Sequence, residues 1–333
     1  MLVVDFINVG YGDAVLIRET SDSSGSFTML VDSGDLAVAS TGISAKHLKS
    51  VRPASDVCVP SMRISAAEFL QKMGIERLDL LVITHLHRDH VGGLIDLLPK
   101  LQVSELWCNY VPEPTFWGRQ ANIPRSFSLG ARHLLEALNI YSQALKTLSE
   151  NDSVIRCIRG EQTSLQLGEG LEASLICEEA ETQQEDIWKR AFEGKVSSQE
   201  LDVLNERIND SSLRMCISYA GQRIELPGDF STGWELSAQP CTIVKLPHHG
   251  HPDSLNEPLA DALRAYYTVI SVSNSRNDCP REEIVALSRR HSPYVLFTDA
   301  VVLPGISPTH HASIRFLISE DGRILVEDYC YDN

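Results

Sequence analysis

The sequence pattern predicts a one-domain α/β protein and suggests a four-layer αββα sandwich, on three observations. Short apolar runs recur along the 333 residues and stop abruptly at polar or glycine-containing turns. Two strand-rich stretches alternate with segments of helical periodicity, the pattern of sheets covered by helices. Histidines and aspartates gather where strands end, which is where a sheet presents its ligand-binding edge.

Taken in order, 2–9 and 13–18 read as strands about a Gly10-Tyr11-Gly12 turn. A short strand at 29–32 ends in Asp32-Ser33-Gly34, and an irregular insertion rich in Ser, Ala and Val fills 35–60. Ser65 caps a helix over 65–73 that Gly74 stops. The apolar strand 78–83 runs into the polar cluster 84–90, and Val91-Gly92-Gly93-Leu94 opens a helix. Segment 103–111 reads as a strand, 112–150 as a Pro-rich loop and a helix, and 154–159 and 171–177 as strands. An acidic helical stretch occupies 179–208. Segments 213–219 and 223–226 form a hairpin about Gly221. Strands at 242–246, 268–272 and 294–298 follow, with a Pro280-led helix before the last. The chain closes with 312–319, a turn at Asp321-Gly322, and 324–327.

Composition narrows the function classes. Hydrophobic residues make up 43% and charged residues 22%, enough apolar matter for a sizeable core. The net charge of -16 argues against a general nucleic-acid binder, whose phosphate contacts need a basic face. A bound pair of divalent cations would restore positive charge locally, so a nuclease stays open. The eight cysteines are scattered without a CxxC pair and read as buried thiols of a reducing compartment. The N-terminus has no basic region and carries Asp5 early, and it reads as a first strand, not a signal peptide. With no apolar run near the ~18 residues that span a bilayer, the expectation is a soluble, cytoplasmic protein with no membrane partner.

The strongest chemical signal is Thr84-His85-Leu86-His87-Arg88-Asp89-His90. His85 and His87 alternate as strand residues and face the same way. Asp89 and His90 sit at the next helix start and can turn toward a second centre. Imidazole and carboxylate are the donors that zinc, iron and manganese accept. Left without a cation, such polar groups beside a core strand would be costly. Two further strand ends supply what a two-metal site still needs. Glu225-Leu226-Pro227-Gly228-Asp229 offers a carboxylate able to bridge two cations, although alone it reads as a turn aspartate. Lys245-Leu246-Pro247-His248-His249-Gly250 offers a histidine pair, which alone could equally be structural.

These motifs resemble the metallo-β-lactamase superfamily. The finer likeness is to the metallo-β-lactamase domain of ComEC-type DNA-uptake competence proteins and their soluble relatives. It rests on Val9-Gly10-Tyr11-Gly12-Asp13-Ala14, Val31-Asp32-Ser33-Gly34, the His85–His90 run with Val91-Gly92-Gly93, Asn209-Asp210-Ser211-Ser212-Leu213, the Lys245–Gly250 element and Ile270-Ser271-Val272. It spans roughly 3–327. The His-x-His-x-Asp-His run is highly specific for the superfamily. The resemblance implies one metallo-β-lactamase-fold domain over 1–333, with insertions near 35–60, 112–150 and 179–208.

The resemblance implies two divalent ions, Zn2+ before Mn2+. His85, His87 and Asp229 would hold the first, with water completing its shell. Asp89, His90, Asp229 and either His249 or His248 would hold the second, with His249 favoured. A water shared by the ions would be deprotonated and attack phosphorus or a carbonyl, with Asp89 and His248 the candidate catalytic residues. Asp32 would orient His85 or His87, or merely shape a turn. Asp13 would organise the first hairpin. Lys245 would touch a substrate phosphate or be solvated. His133, the one histidine between the first cluster and Asp229, reads as structural, and His310-His311 would lie at the pocket rim. His47, His251 and His291 have no supporting context. The family's Gly-His-Pro is replaced by Asp278-Cys279-Pro280, which puts one substrate contact in doubt. The implied function is a phosphodiesterase, including a nuclease with nucleic acid as partner. Alternatives are hydrolysis of a small-molecule ester, lactone or phosphocholine-type substrate, or a non-catalytic metal-binding interaction protein.

Overall fold

The computed structural model describes residues 1–10, 12–20, 26–35, 62–177, 182–272, 279–299, 301, 303 and 312–329. Apart from Asp35, the insertion expected at 35–60 falls outside the described residues, as do Tyr11, His47, Asp278, His310 and His311.

The first sheet contains β1 (Leu2–Phe6), β2 (Val15–Glu19), β3 (Phe27–Val31), β4 (Arg77–Ile83), β5 (Gln102–Cys108) and β6 (Val154–Cys157). The second contains β7 (Gly160–Gln166), β8 (Leu171–Cys177), β9 (Arg214–Tyr219), β10 (Gln222–Leu226), β11 (Ile243–Lys245), β12 (Tyr267–Ile270) and β13 (Tyr294–Phe297). The chain then returns to the first sheet with β14 (Ser313–Ile318) and β15 (Ile324–Tyr329). The first sheet runs β15-β14-β1-β2-β3-β4-β5-β6 and the second β13-β12-β11-β10-β9-β8-β7. The helices are α1 (Ala66–Lys72), α2 (Arg88–Val91), α3 (Leu94–Leu97), α4 (Leu129–Glu150), α5 (Thr182–Phe192), α6 (Ser198–Arg207), α7 (Glu257–Leu263) and α8 (Glu282–His291).

Strand alternation builds three apolar layers. Val15, Ile17, Met29, Val31, Leu80 and Val82 face Met215, Ile217, Ile224, Leu226 and Ile243 between the sheets. Leu16, Leu30, Leu81 and Ile83 point the other way, against Phe69 of α1, Leu94 of α3 and Leu134 and Leu138 of α4. On the far side, Val244, Leu246 and Ile270 pack against Leu259 of α7 and Ile284 of α8. This is the four-layer αββα sandwich that the sequence predicts.

Several local readings need correcting. The helix expected from 91 onward is two short helices parted at Gly92-Gly93. A Cβ on Gly93 would lie 2.2 Å from the Ser33 carbonyl oxygen, so the glycines admit the backbone after β3. Strand β7 went unread because its sequence, GEQTSLQ, has no apolar alternation; it forms one edge of the second sheet. The hairpin at 213–226 is present, with Ala220 and Gly221 both left-handed, the backbone of a two-residue turn. Segment 112–150, expected as an insertion, contains α4, capped by Ser128, and 182–208 contains α5 and α6, the latter opened by a Ser197–Glu200 capping box. Among the described residues no helix is long and apolar enough to cross a membrane.

Candidate metal centre

Strands β3 and β4 run parallel in the first sheet, and β10, β11 and β12 run parallel in the second. The segments that follow β3, β4, β10 and β11 carry Asp32, His85 to His90, Asp229 and His248-His249 to one end of the sandwich. The turn between β1 and β2 adds Asp13 there. Ligands collect at such carboxyl ends because the backbone leaves the sheet and frees side chains to converge.

Two groups of donors face one another. In the first, His85 Nε2 lies 3.1 Å from His87 Nδ1, while His85 Nδ1 contacts Thr84 Oγ1 at 3.1 Å and Ser212 Oγ at 3.3 Å. Burial holds the His85 imidazole well below the usual histidine range and pushes His87 down to about 4, so both rings are neutral. Of His85 Nε2 and His87 Nδ1, one donates to the other, which leaves His87 Nε2 buried with no hydrogen-bond partner. In the second group, His90 Nε2 lies 3.3 Å from Asp229 Oδ2. His249 Nε2 lies 3.4 Å from that oxygen and 3.2 Å from Asp89 Oδ2. Ligand atoms of Asp13, His90, Asp229 and His249 all lie within 4.8 Å of one another.

The charges are mutually enforced. Burial favours neutral carboxyls, but His90 and His249 pull Asp89 far below the usual range, and Lys245, His249 and His90 do the same for Asp229. Burial likewise opposes charging of His249, yet Asp229 and Asp13 raise it to about 9. His90 is held well above its ordinary value by Asp229, Asp32 and Asp89 against the same opposition. Without a metal, protons on His90 and His249 balance the carboxylates. A donor set of imidazoles and ionised carboxylates around an orphaned ring nitrogen fits divalent cations of the zinc or manganese kind.

The positioning partners differ from the sequence reading. Asp32 does not orient His85 or His87. Its Oδ1 accepts from the Thr84 amide at 2.8 Å, and its Oδ2 pairs with Thr84 Oγ1 at 2.7 Å and His90 Nδ1 at 2.8 Å. His90 therefore presents Nε2 inward. His249 Nδ1 meets the Ser271 carbonyl oxygen at 3.1 Å, which also turns its Nε2 toward the carboxylates. His248 points elsewhere: its Nδ1 lies 2.9 Å from Asp253 Oδ1, and its Nε2 lies 3.4 Å from the Asn209 amide nitrogen. His251, unremarkable in sequence, shares Asp253 Oδ1 at 2.8 Å and stacks on His248 at 4.4 Å.

Asp13 and Lys245 are the residues that sequence reasoning undervalued. Lys245 is neither solvated nor free for substrate: it is 2% exposed, and its Nζ pairs with Asp13 Oδ2, Asp229 Oδ1 and the Gly228 carbonyl oxygen. The available signal was alternation, since Ile243 faces the inter-sheet core and Lys245, two residues on, shares that face. His133, read from sequence as structural, sits on α4 at the same end. It lines a cavity of about 390 Å³ together with His87, Asp89, Asp229, His248 and, from α6, Asn205 and Glu206. Helices α4 and α6 thus wall this cavity.

The sequence profile described as Metallo-beta-lactamase superfamily matches residues 7–173. ComE operon protein 3 of Bacillus subtilis (strain 168) is 22% identical over 304 residues, covering 89% of this chain and 32% of that protein. The chain thus spans just under a third of that relative's length. Among solved structures, a diphosphatase from the PhnP family is 14% identical, with 95% of this chain and 98% of the other covered and a TM-score of 0.41. Zn(2+)-bound PqqB from Methylobacterium extorquens is 11% identical, with 94% and 98% covered and a TM-score of 0.44.

Proposed function

The chain belongs to the metallo-beta-lactamase superfamily, and from that premise we propose that it is a metal-dependent phosphodiesterase working in the cavity walled by α4 and α6. One observation carries the reading. From both sheets His87, Asp89 and Asp229 line that cavity, and behind them His85 lies 3.1 Å from His87, His90 3.3 Å from Asp229 and His249 3.2 Å from Asp89.

In this reading His85, His87 and Asp229 would hold one divalent cation, and Asp89, His90, Asp229 and His249 the other. Bound there, such cations would supply Lewis acidity for activating a water near neutral pH and for offsetting phosphoryl charge. The protein's share is orientation and proton handling. Asp32 and the Ser271 carbonyl set the ring faces of His90 and His249. Asp89, kept ionised, orients the attacking water. His248, its ring oriented by Asp253 at Nδ1, delivers a proton from Nε2 to the leaving oxygen. A cavity of about 390 Å³ suits a small phosphodiester or the end of a single strand better than a duplex.

The test is elemental analysis of the purified protein, followed by hydrolysis of bis(4-nitrophenyl) phosphate with Zn2+ or Mn2+. Bound metal and turnover abolished by chelation and by Asp89→Asn support the reading. Metal without turnover of any ester supports a binding protein, and the lack of stoichiometric metal sinks the assignment. Parallel assays on single-stranded DNA and on carboxylic esters and lactones separate a nuclease and the non-phosphate alternatives from a small-phosphodiester enzyme.

A further inference from the structure

Lys245 ends β11 facing the first sheet, where the inter-sheet apolar layer gives way to the polar cluster. Its ammonium is fully enclosed and fully engaged, by Asp13 Oδ2, by Asp229 Oδ1 at 3.0 Å and by the Gly228 carbonyl oxygen at 3.1 Å. A lysine is almost never buried unless paired, and here the partners come from different sheets. Asp13 belongs to the β1–β2 turn and Asp229 follows β10. The Asp13 amide also donates to the Asp89 carbonyl oxygen at 3.2 Å, so the same link ties the first hairpin to α2.

The two oxygens of Asp229 are thereby divided. Oδ1 accepts from Lys245 and, at 3.1 Å, from the His248 amide. Oδ2 alone faces His90 and His249. A carboxylate held in this way offers one oxygen to a cation, so any bridging by Asp229 runs through a single atom.

We propose that Lys245 is a positioning residue acting as a resident cation: it restricts Asp229 to one metal-facing oxygen and holds Asp13 and Asp229 together when the metal is absent. The inference rests on the metal-site reading above. Its consequence is that the site is assembled before metal arrives. Removing the ammonium transfers that task to the metal.

The test is Lys245→Met, close in volume and uncharged, compared with the unaltered chain by thermal melting after chelation and after loading with Zn2+. The chelated variant should melt on the order of 10 °C below the chelated unaltered chain, as expected for a buried charge pair losing one partner. Zn2+ should raise the variant's midpoint by more than it raises the unaltered chain's. A residue that is only structural would lower chelated and loaded midpoints equally, and that result overturns the proposal. Adding Asp13→Asn removes an opposing charge and should recover part of the lost stability in the chelated protein. If Lys245→Met fails to fold, the Asp13→Asn/Lys245→Met pair decides: folding supports the proposal and failure refutes it. In Co2+-loaded protein, freeing Oδ1 should weaken the visible absorption as the coordination number rises, whereas an unchanged spectrum argues against the one-oxygen restriction. Absence of any Zn2+ effect on the unaltered chain would sink the metal reading instead, while the chelated variants would still report on the lysine.

Discussion

Replacing Asp32 with asparagine should strip the proton from His90 Nδ1, keep one on Nε2, and weaken metal binding there while leaving the protein folded. The Thr84 amide can only donate, and Asp32 Oδ1 receives it at 2.8 Å, so the asparagine oxygen must stay at that position. The new amide nitrogen then falls where Oδ2 stands, 2.8 Å from His90 Nδ1. It carries protons, so Nδ1 must give up its own and accept, and the ring is left protonated at Nε2, the nitrogen turned toward Asp229 at 3.3 Å. The fold loses one charge-assisted hydrogen bond, about 2 kcal/mol. Loss of such a partner behind a metal-binding histidine lowers metal affinity by roughly 10- to 100-fold. The assays are urea unfolding of the chelated protein and Zn2+ competition against a chromophoric chelator. Folded Asp32→Asn protein with Zn2+ affinity within about twofold of the unaltered chain would refute the reasoning, because a ligand nitrogen cannot be protonated and metal-bound at once.

Three further outcomes follow from the same geometry. Gly12→Ala should cost about 1–3 kcal/mol from its left-handed backbone (φ 94°) alone, and more because its Cβ would lie 1.7 Å from the Asp89 carbonyl oxygen; an unchanged melting midpoint would show that this approach is not as drawn. Glu200 is held down to about 2 by Arg190 and by Ser197, below its ordinary 4.5, so its contribution to stability is present above pH 4.5 and lost as pH falls through about 2. The difference in urea midpoint between the unaltered chain and Glu200→Gln should therefore be full at pH 7 and shrink below pH 4.5; a gap that widens in acid contradicts the sign. Burial pushes the Cys108 and Cys216 thiols up to about 12, whereas Cys157 is exposed, so peptide mapping after brief alkylation should find Cys157 labelled well before those two, and equal labelling would count against the described burial.

What could be read from the sequence was whatever is local. His85, His87, Asp89 and His90 lie within six residues behind an apolar strand, and residue type and spacing alone mark their chemistry. Lys245 and Asp13 were not legible as a pair, because 232 residues separate them and only sheet packing brings the ammonium to the carboxylate. Asp32 was recognised as a partner for an imidazole but assigned to the wrong one. The helix start at His90 was legible, but choosing His90 over His85 requires the packing that brings Asp32 Oδ2 within 2.8 Å of His90 Nδ1, which spacing does not encode. The walls from α4 and α6 were legible as helices and not as walls, since a helix's packing partner is a property of the fold and not of its own periodicity.

The histidine pair shows why neighbouring residues of one type can take opposite tasks. In a strand, His248 and His249 would project to opposite faces of the sheet, and in a helix about 100° apart. Here both are left-handed, with φ 47° and ψ 39° at His248 and φ 54° and ψ 23° at His249. Each such residue costs on the order of 1–3 kcal/mol unless its surroundings impose it. The surroundings do so from three sides. The His248 amide donates to Asp229 Oδ1 at 3.1 Å. The Gly250 carbonyl oxygen accepts from the Arg281 amide at 2.9 Å, and a Cβ on Gly250 would lie 2.7 Å from that of Pro280. His249 is held from its far side by the Ser271 carbonyl oxygen. The turn therefore sends His249 inward against Asp89 and Asp229 and leaves His248 facing Asp253 and the cavity. Relaxing it into ordinary backbone would move both rings at once, so replacing Gly250 with a residue bearing a Cβ should disturb metal uptake and proton delivery together.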